Sequence, residues 1–108
     1  MGITKKEQFT QEQNNLAALA KAIAHPARIA IIEHLYQIDT CVCGDIVEEI
    51  GLAQATISQH LKALKEVGLI KGNTEGTKVC YCLDTNNIKN LNKSFSQFFK
   101  SGSSNHCC

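Results

Sequence analysis

The sequence has little net charge. Eleven lysines and arginines against ten aspartates and glutamates leave a formal +1, so no global basic field advertises a nucleic-acid partner, although near-neutrality counts only against strong non-specific binding. It lacks any apolar run of membrane-spanning length, and residues 1–15 are polar with no apolar core of signal-peptide size. The expectation is a cytoplasmic protein with reduced thiols and no membrane partner. A Ser/His/Asp arrangement, a phosphate-cradling glycine loop and a C-x-x-C pair are all missing, so an enzyme is not expected and a dithiol oxidoreductase is the remotest reading. There is no internal repeat. The 108 residues suffice for one domain with a small core. We take residues 1–100 as that domain and 101–108, Ser-Gly-Ser-Ser-Asn-His-Cys-Cys, as a flexible tail.

What is present is organised around residues 54–69. Ile57, Leu61 and Leu64 recur at helical spacing and define an inward side. Ala55, Ser58, Gln59 and Lys62 fall on the opposite side, a row of small, polar and basic groups. Glutamine can pair bidentately with adenine, serine serves base or phosphate, and lysine neutralises backbone charge. Gly68 is suited to ending the helix. Before it, residues 45–50 form a short helical stretch, apolar at Ile46, Val47 and Ile50, with Asp45 and Glu48 fitting a capping box and Gly51-Leu52-Ala53 as a tight turn. Two helices joined by a short glycine-containing turn predict a helix-turn-helix. After it, residues 69–71 and 78–83 read as two strands around a turn at 73–76. The fold class expected is therefore mainly α with a small β-hairpin, a winged helix-turn-helix. Its DNA-binding residues would be Gln54, Ala55, Thr56, Ser58, Gln59 and Lys62 on the helix, with Lys71 and Lys78 on the wing.

The flanking segments are also patterned. Residues 4–24 carry Phe9, Leu16, Leu19, Ala20 and Ile23 on one helical stripe. His25-Pro26 punctuates it and opens a second helix over 26–36, apolar at Ile29, Ile31, Ile32 and Leu35. His25 is read as a boundary residue and His34 as an ordinary helix residue rather than as metal ligands. Residues 86–100 place Ile88, Leu91, Phe95, Phe98 and Phe99 on one stripe, and three of the chain's four phenylalanines lie there. That is more aromatic surface than a monomer leaves outside, so the first and last helices are expected to build a homodimer interface.

Helix, His25-Pro26-Ala27-Arg28, helix, Cys41-Val42-Cys43, helix-turn-helix, wing and helix follow in an order that closely resembles the ArsR/SmtB family of metal-responsive repressors. The resemblance covers about residues 10–100 and is most specific at Ile57-Ser58-Gln59-His60-Leu61-Lys62, at Gly68-Leu69-Ile70 and at the Cys-x-Cys. It implies a dimeric winged helix that holds double-stranded operator DNA and leaves it when a metal ion or metalloid binds, with Ser58, Gln59 and Lys62 at the family's reading positions. The arsenic-sensing pattern is C-x-C-x-x-C, and here Ile46 stands at the third cysteine position.

Chain geometry offers other sulfurs. Cys41 and Cys43 are two apart, as are Cys80 and Cys82, so in extended chain each pair shares a face. If 40–43 pairs antiparallel with 79–83, with Val79, Tyr81 and Leu83 inward and Cys80 and Cys82 outward, four sulfurs can converge on one ion. Cys43 beside a helix N-terminus should favour its thiolate. Cys107 and Cys108 on the tail could complete such a site, act as an accessory or be inert. Thiolates select soft or borderline ions: As(III) and Sb(III), or Cd, Pb or Zn, with As(III) first by the resemblance. No obligatory cofactor is expected. The alternative is a thiol redox or persulfide sensor on the same fold.

Overall fold

The computed structural model describes residues 8–38, 46–75 and 78–100. The expected capping residue Asp45, the strand at 40–43 with Cys41 and Cys43, and the tail with Cys107 and Cys108 lie outside the described residues. In chain order the elements are α1 (Gln11–Ile23), α2 (Pro26–Gln37), α3 (Ile46–Ile50), α4 (Gln54–Glu66), β1 (Ile70–Glu75), β2 (Lys78–Leu83) and α5 (Thr85–Lys100). None of the described helices is long and apolar enough to cross a membrane.

The first helix starts later than its apolar stripe suggests. Thr10 caps it, accepting from the Gln13 backbone N–H at 3.0 Å while the Gln13 side chain accepts from the Thr10 N–H at 2.9 Å. This reciprocal capping box satisfies two otherwise orphaned donors. Phe9 is therefore not on the helical stripe but ahead of the cap, and it is exposed. Pro26 opens α2 as its first residue, and His25 caps that helix by accepting from the Ala27 N–H at Nδ1, 3.0 Å. A proline here loses nothing, because its missing N–H would have had no helical partner.

Gly51 has φ +79° and turns the chain between α3 and α4, the turn of the helix-turn-helix. The end of α4 is a Schellman motif: the Leu69 N–H reaches the Leu64 carbonyl at 3.0 Å and the Gly68 N–H reaches that of Lys65 at 2.9 Å. Gly68, at φ +80°, supplies the left-handed residue this requires, and a Cβ there would lie 2.7 Å from the Asn87 amide nitrogen. That amide in turn donates to the Gly68 carbonyl at 2.7 Å, tying the end of α4 to the first turn of α5. Asp84 begins α5 by accepting from the Asn87 N–H at 3.2 Å. Gly68→Ala should therefore lower stability by about 1–3 kcal/mol through backbone strain, more if Asn87 is displaced; urea denaturation checks it, and Gly51→Ala, whose Cβ would meet nothing within 4 Å, separates strain from the clash.

Helices α2, α3 and α4 and strand β1 enclose the core: Ile31, Leu35, Ile46, Ile57, Leu61, Leu64, Leu69 and Ile70 are buried together. Tyr81, Leu83, Ile88 and Leu91 pack against it from β2 and α5. The strands form an antiparallel hairpin in which Ile70 faces Leu83, Gly72 faces Tyr81 and Asn73 faces Cys80. The hairpin is longer than expected, since 73–75 continue β1 rather than turning. Helix-turn-helix followed by hairpin is the winged helix-turn-helix arrangement, mainly α with one small wing.

Candidate nucleic-acid interface and thiol site

Helix α4 is divided along its length. Ile57, His60, Leu61 and Leu64 are buried, whereas Gln54, Ala55, Thr56, Ser58, Gln59 and Lys62 are all exposed. Seating one side in the core leaves the other free for solvent or a partner, because the helix spacing separates the two sets by about half a turn. The Gln54 amide donates to the Ser58 hydroxyl at 3.3 Å, so two of the expected reading groups sit together on one exposed edge. Lys62 is exposed beside them, and Lys71 is exposed on β1; the side chain of Lys78 lies outside the described residues. Lys65 folds toward the wing, its Nζ lying 3.3 Å from the position a Cβ on Gly72 would take.

His60 was not among the expected site residues. It is a polar residue buried at 8% exposure. Its Nδ1 accepts from Arg28 Nε at 3.1 Å, and Arg28 Nη1 donates to the Ala22 carbonyl at 3.0 Å. The His25 ring packs against that of His60 with centroids 4.4 Å apart. Burial holds the His60 pKa below the ordinary value near 6.5, and the neighbouring His25 and Arg28 charges push the same way. Position 60 lies three residues after Ile57 and four before Leu64, so its inward phase was readable; its partner, 32 residues away, was not. His34 is half-buried on α2, with Nε2 buried and without a hydrogen-bond partner.

On β2, Tyr81 and Leu83 share the core face with Ile70 of β1, and Cys80 and Cys82 share the other. Cys80 does not sit on an open outer surface. It is 1% exposed, while Val79, expected inward, is 43% exposed. The alternation sets which face a residue is on, but cover decides burial. Cys80 is disulfide-bonded. Cys82, on the same face, is half-buried. Among the described residues no three histidine, cysteine or carboxylate side chains are grouped to hold a metal ion.

Residues 25–71 match the family of bacterial regulatory proteins, arsR family. Over 88 residues the chain is 35% identical to a cadmium resistance transcriptional regulatory protein CadC homolog of Staphylococcus aureus, a match that takes in 81% of this chain and 72% of that protein. The chain belongs to the ArsR family. It is also 36% identical over 73 residues, 68% of its length, to the transcriptional repressor SmtB of Mycobacterium tuberculosis, and spans about half, 53%, of that relative. Its fold is similar to a solved homodimeric winged helix-turn-helix DNA-binding domain from Mycobacterium bovis, with a TM-score of 0.66 at 22% identity over 99% of this chain and 97% of that one. The match over 25–71 begins at the His25 cap and ends in the wing, so this ArsR-family chain shares with its relatives the segment that contains both Arg28 and His60.

Proposed function

We propose that this ArsR-family chain is a cytoplasmic repressor whose homodimer occupies operator DNA through α4 and the wing and releases it when a soft metal ion or a trivalent metalloid binds its cysteines. The role is one of binding, without catalysis. The observation that carries it is the division of α4, with Ser58, Gln59 and Lys62 exposed in a row while Ile57, Leu61 and Leu64 seat the helix in the core. A helix so seated can enter a major groove without unpacking. Base edges would be read by Gln54, Ala55, Thr56, Ser58 and Gln59, and phosphates neutralised by Lys62, Lys71 and Lys78.

The trigger rests on sulfur chemistry. Cys80 and Cys82 share one face of β2, and reduction of the disulfide at Cys80 would free its thiolate on that face. Cys41 and Cys43 would supply the remaining ligands, with Cys107 and Cys108 as accessories on the tail at 101–108. Thiolates favour As(III), Sb(III), Cd, Pb and Zn over Mg or Ca. A relative named for cadmium resistance and another named as a repressor accord with this. Drawing the wing toward the start of the helix-turn-helix would shift the dimer's reading helices from the spacing of successive major grooves. A coupling of about 1–3 kcal/mol lowers operator affinity roughly 5- to 150-fold. The dimer would form through α1 and α5, where a groove of about 390 Å³ runs between Leu19 and Leu91.

The disulfide at Cys80 favours a second reading, in which oxidation or persulfidation of the same cysteines is the signal. One experiment separates the two. Reduced protein is titrated anaerobically with arsenite, antimonite, Cd, Pb and Zn while thiolate-to-metal absorption and DNA release by fluorescence anisotropy are followed together. Stoichiometric binding with release supports the metal trigger and identifies the ion. Release only on oxidation or persulfidation transfers the cysteines to the redox reading.

A further inference from the structure

The contact between Arg28 and His60 joins three elements through two hydrogen bonds. Arg28, in the first turn of α2, donates from Nη1 to the Ala22 carbonyl near the end of α1 and from Nε to His60 Nδ1 in the middle of α4. His25, the cap of α2, also uses Nδ1 as an acceptor, and its ring lies against His60 at 4.4 Å. An imidazole that accepts at Nδ1 carries its proton on Nε2 and is neutral. We propose that Arg28 and His60 are positioning residues for DNA reading, a latch that holds α4 against α1 and α2 only while His60 is neutral, so that acidification releases operator DNA. This inference rests on the DNA-reading role proposed for α4.

The chemistry of the latch sets its sign. Protonation of Nδ1 converts the acceptor into a donor facing another donor, and it adds a positive charge beside the Arg28 guanidinium. The charged or titratable groups that bear on His60 are His25 and Arg28, both from the start of α2, and a positive charge on either opposes its protonation. From α1 the contact is the uncharged Ala22 carbonyl. Above the ordinary value near 6.5 the ring is neutral whether the chain is folded or not, and the latch is fully formed. As pH falls from there toward the lower value in the fold, the unfolded or unlatched state takes up the proton first, and the stabilisation is progressively lost. The general effect of acidification on DNA binding is opposite in sign, since every other histidine that gains a proton adds attraction for phosphate. A weakening at low pH therefore separates the latch from bulk electrostatics.

The test uses the full reduced chain. A DNA duplex is enriched from a randomised library by repeated selection on the protein at about pH 7.5, labelled, and its affinity measured by anisotropy at that pH and at about pH 5.5. Wild-type affinity should fall on the order of five- to tenfold between the two. His60→Asn keeps an uncharged acceptor where Nδ1 stood, and its affinity ratio between the two pH values should stay within about twofold. Should that variant not fold, by circular dichroism, the histidine proton resonances of the wild type replace it, and the midpoint of affinity loss must coincide with the His60 titration. Wild-type affinity that holds or rises on acidification, a His60→Asn ratio as large as the wild type's, or a midpoint away from the His60 titration overturns the latch and leaves DNA reading standing. Failure to enrich any duplex at the higher pH overturns the DNA reading itself, and the latch with it.

Discussion

Leu64→Ala is expected to lower the unfolding free energy by about 2–5 kcal/mol, a large part of the roughly 5–15 kcal/mol typical of a domain this size. Leu64 is fully buried at 0% exposure, on the inner face of α4 and in one core with Ile31, Leu35, Ile57 and Leu69. Its carbonyl also closes the Schellman motif through Leu69, so the residues around it are held by backbone hydrogen bonds and have little freedom to collapse into the space left behind. The cost should accordingly lie toward the upper end of that range. Urea denaturation of reduced protein at one fixed concentration checks it: the midpoint should fall with the slope unchanged. Leu52→Ala is the comparison. Leu52 is 38% exposed in the turn before α4, and its truncation should change stability by no more than about 0.5 kcal/mol. Equal costs at the two positions would mean that the inner face of α4 does not carry the core.

The second large effect concerns α5. No residue of this 16-residue helix is buried in the single chain, yet Phe98 and Phe99 are 57% and 74% exposed and pack on each other at 5.1 Å. Covering two such rings stabilises association by about 1.5–3 kcal/mol each, which matches the proposal that α1 and α5 form the dimer interface. Phe98→Glu combined with Phe99→Glu places two like charges on that face in each copy. The double variant should sediment as a monomer and bind DNA about 10²- to 10⁴-fold more weakly, because two linked reading helices become two independent ones. Its helical content should be retained, since neither ring is part of the core of one chain. A dimer that persists, or a monomer whose DNA affinity is unaltered, would remove α5 from the interface.

How much of this was legible in the chain differs from element to element. Pro26 as the first residue of α2, Gly51 in the turn, Gly68 at the end of α4 and the Ile57/Leu61/Leu64 spacing each announce a local structure, because each acts through its own backbone or through neighbours within two turns. The start of α1 was misplaced because an apolar stripe does not say where a helix begins. The Thr10/Gln13 pair does, and it leaves Phe9 outside. The wing was too short in expectation because Asn73 and Thr74 read as turn residues, whereas pairing with Cys80 and Val79 draws them into the ladder.

The candidate site divides in the same way. The row of exposed groups on α4 and the shared face of Cys80 and Cys82 followed from periods of 3.6 and 2, which the sequence determines by itself. Periodicity assigns a face but not what covers it. Only the tertiary structure decided that Cys80 is buried and bonded while Val79 is open, that Lys65 lies against the wing, and that Asn87 reaches the Gly68 carbonyl. It alone brought Arg28 to His60, since a hydrogen bond across 32 residues depends on the packing of α2 on α4, and no local pattern in either helix encodes the distance between them.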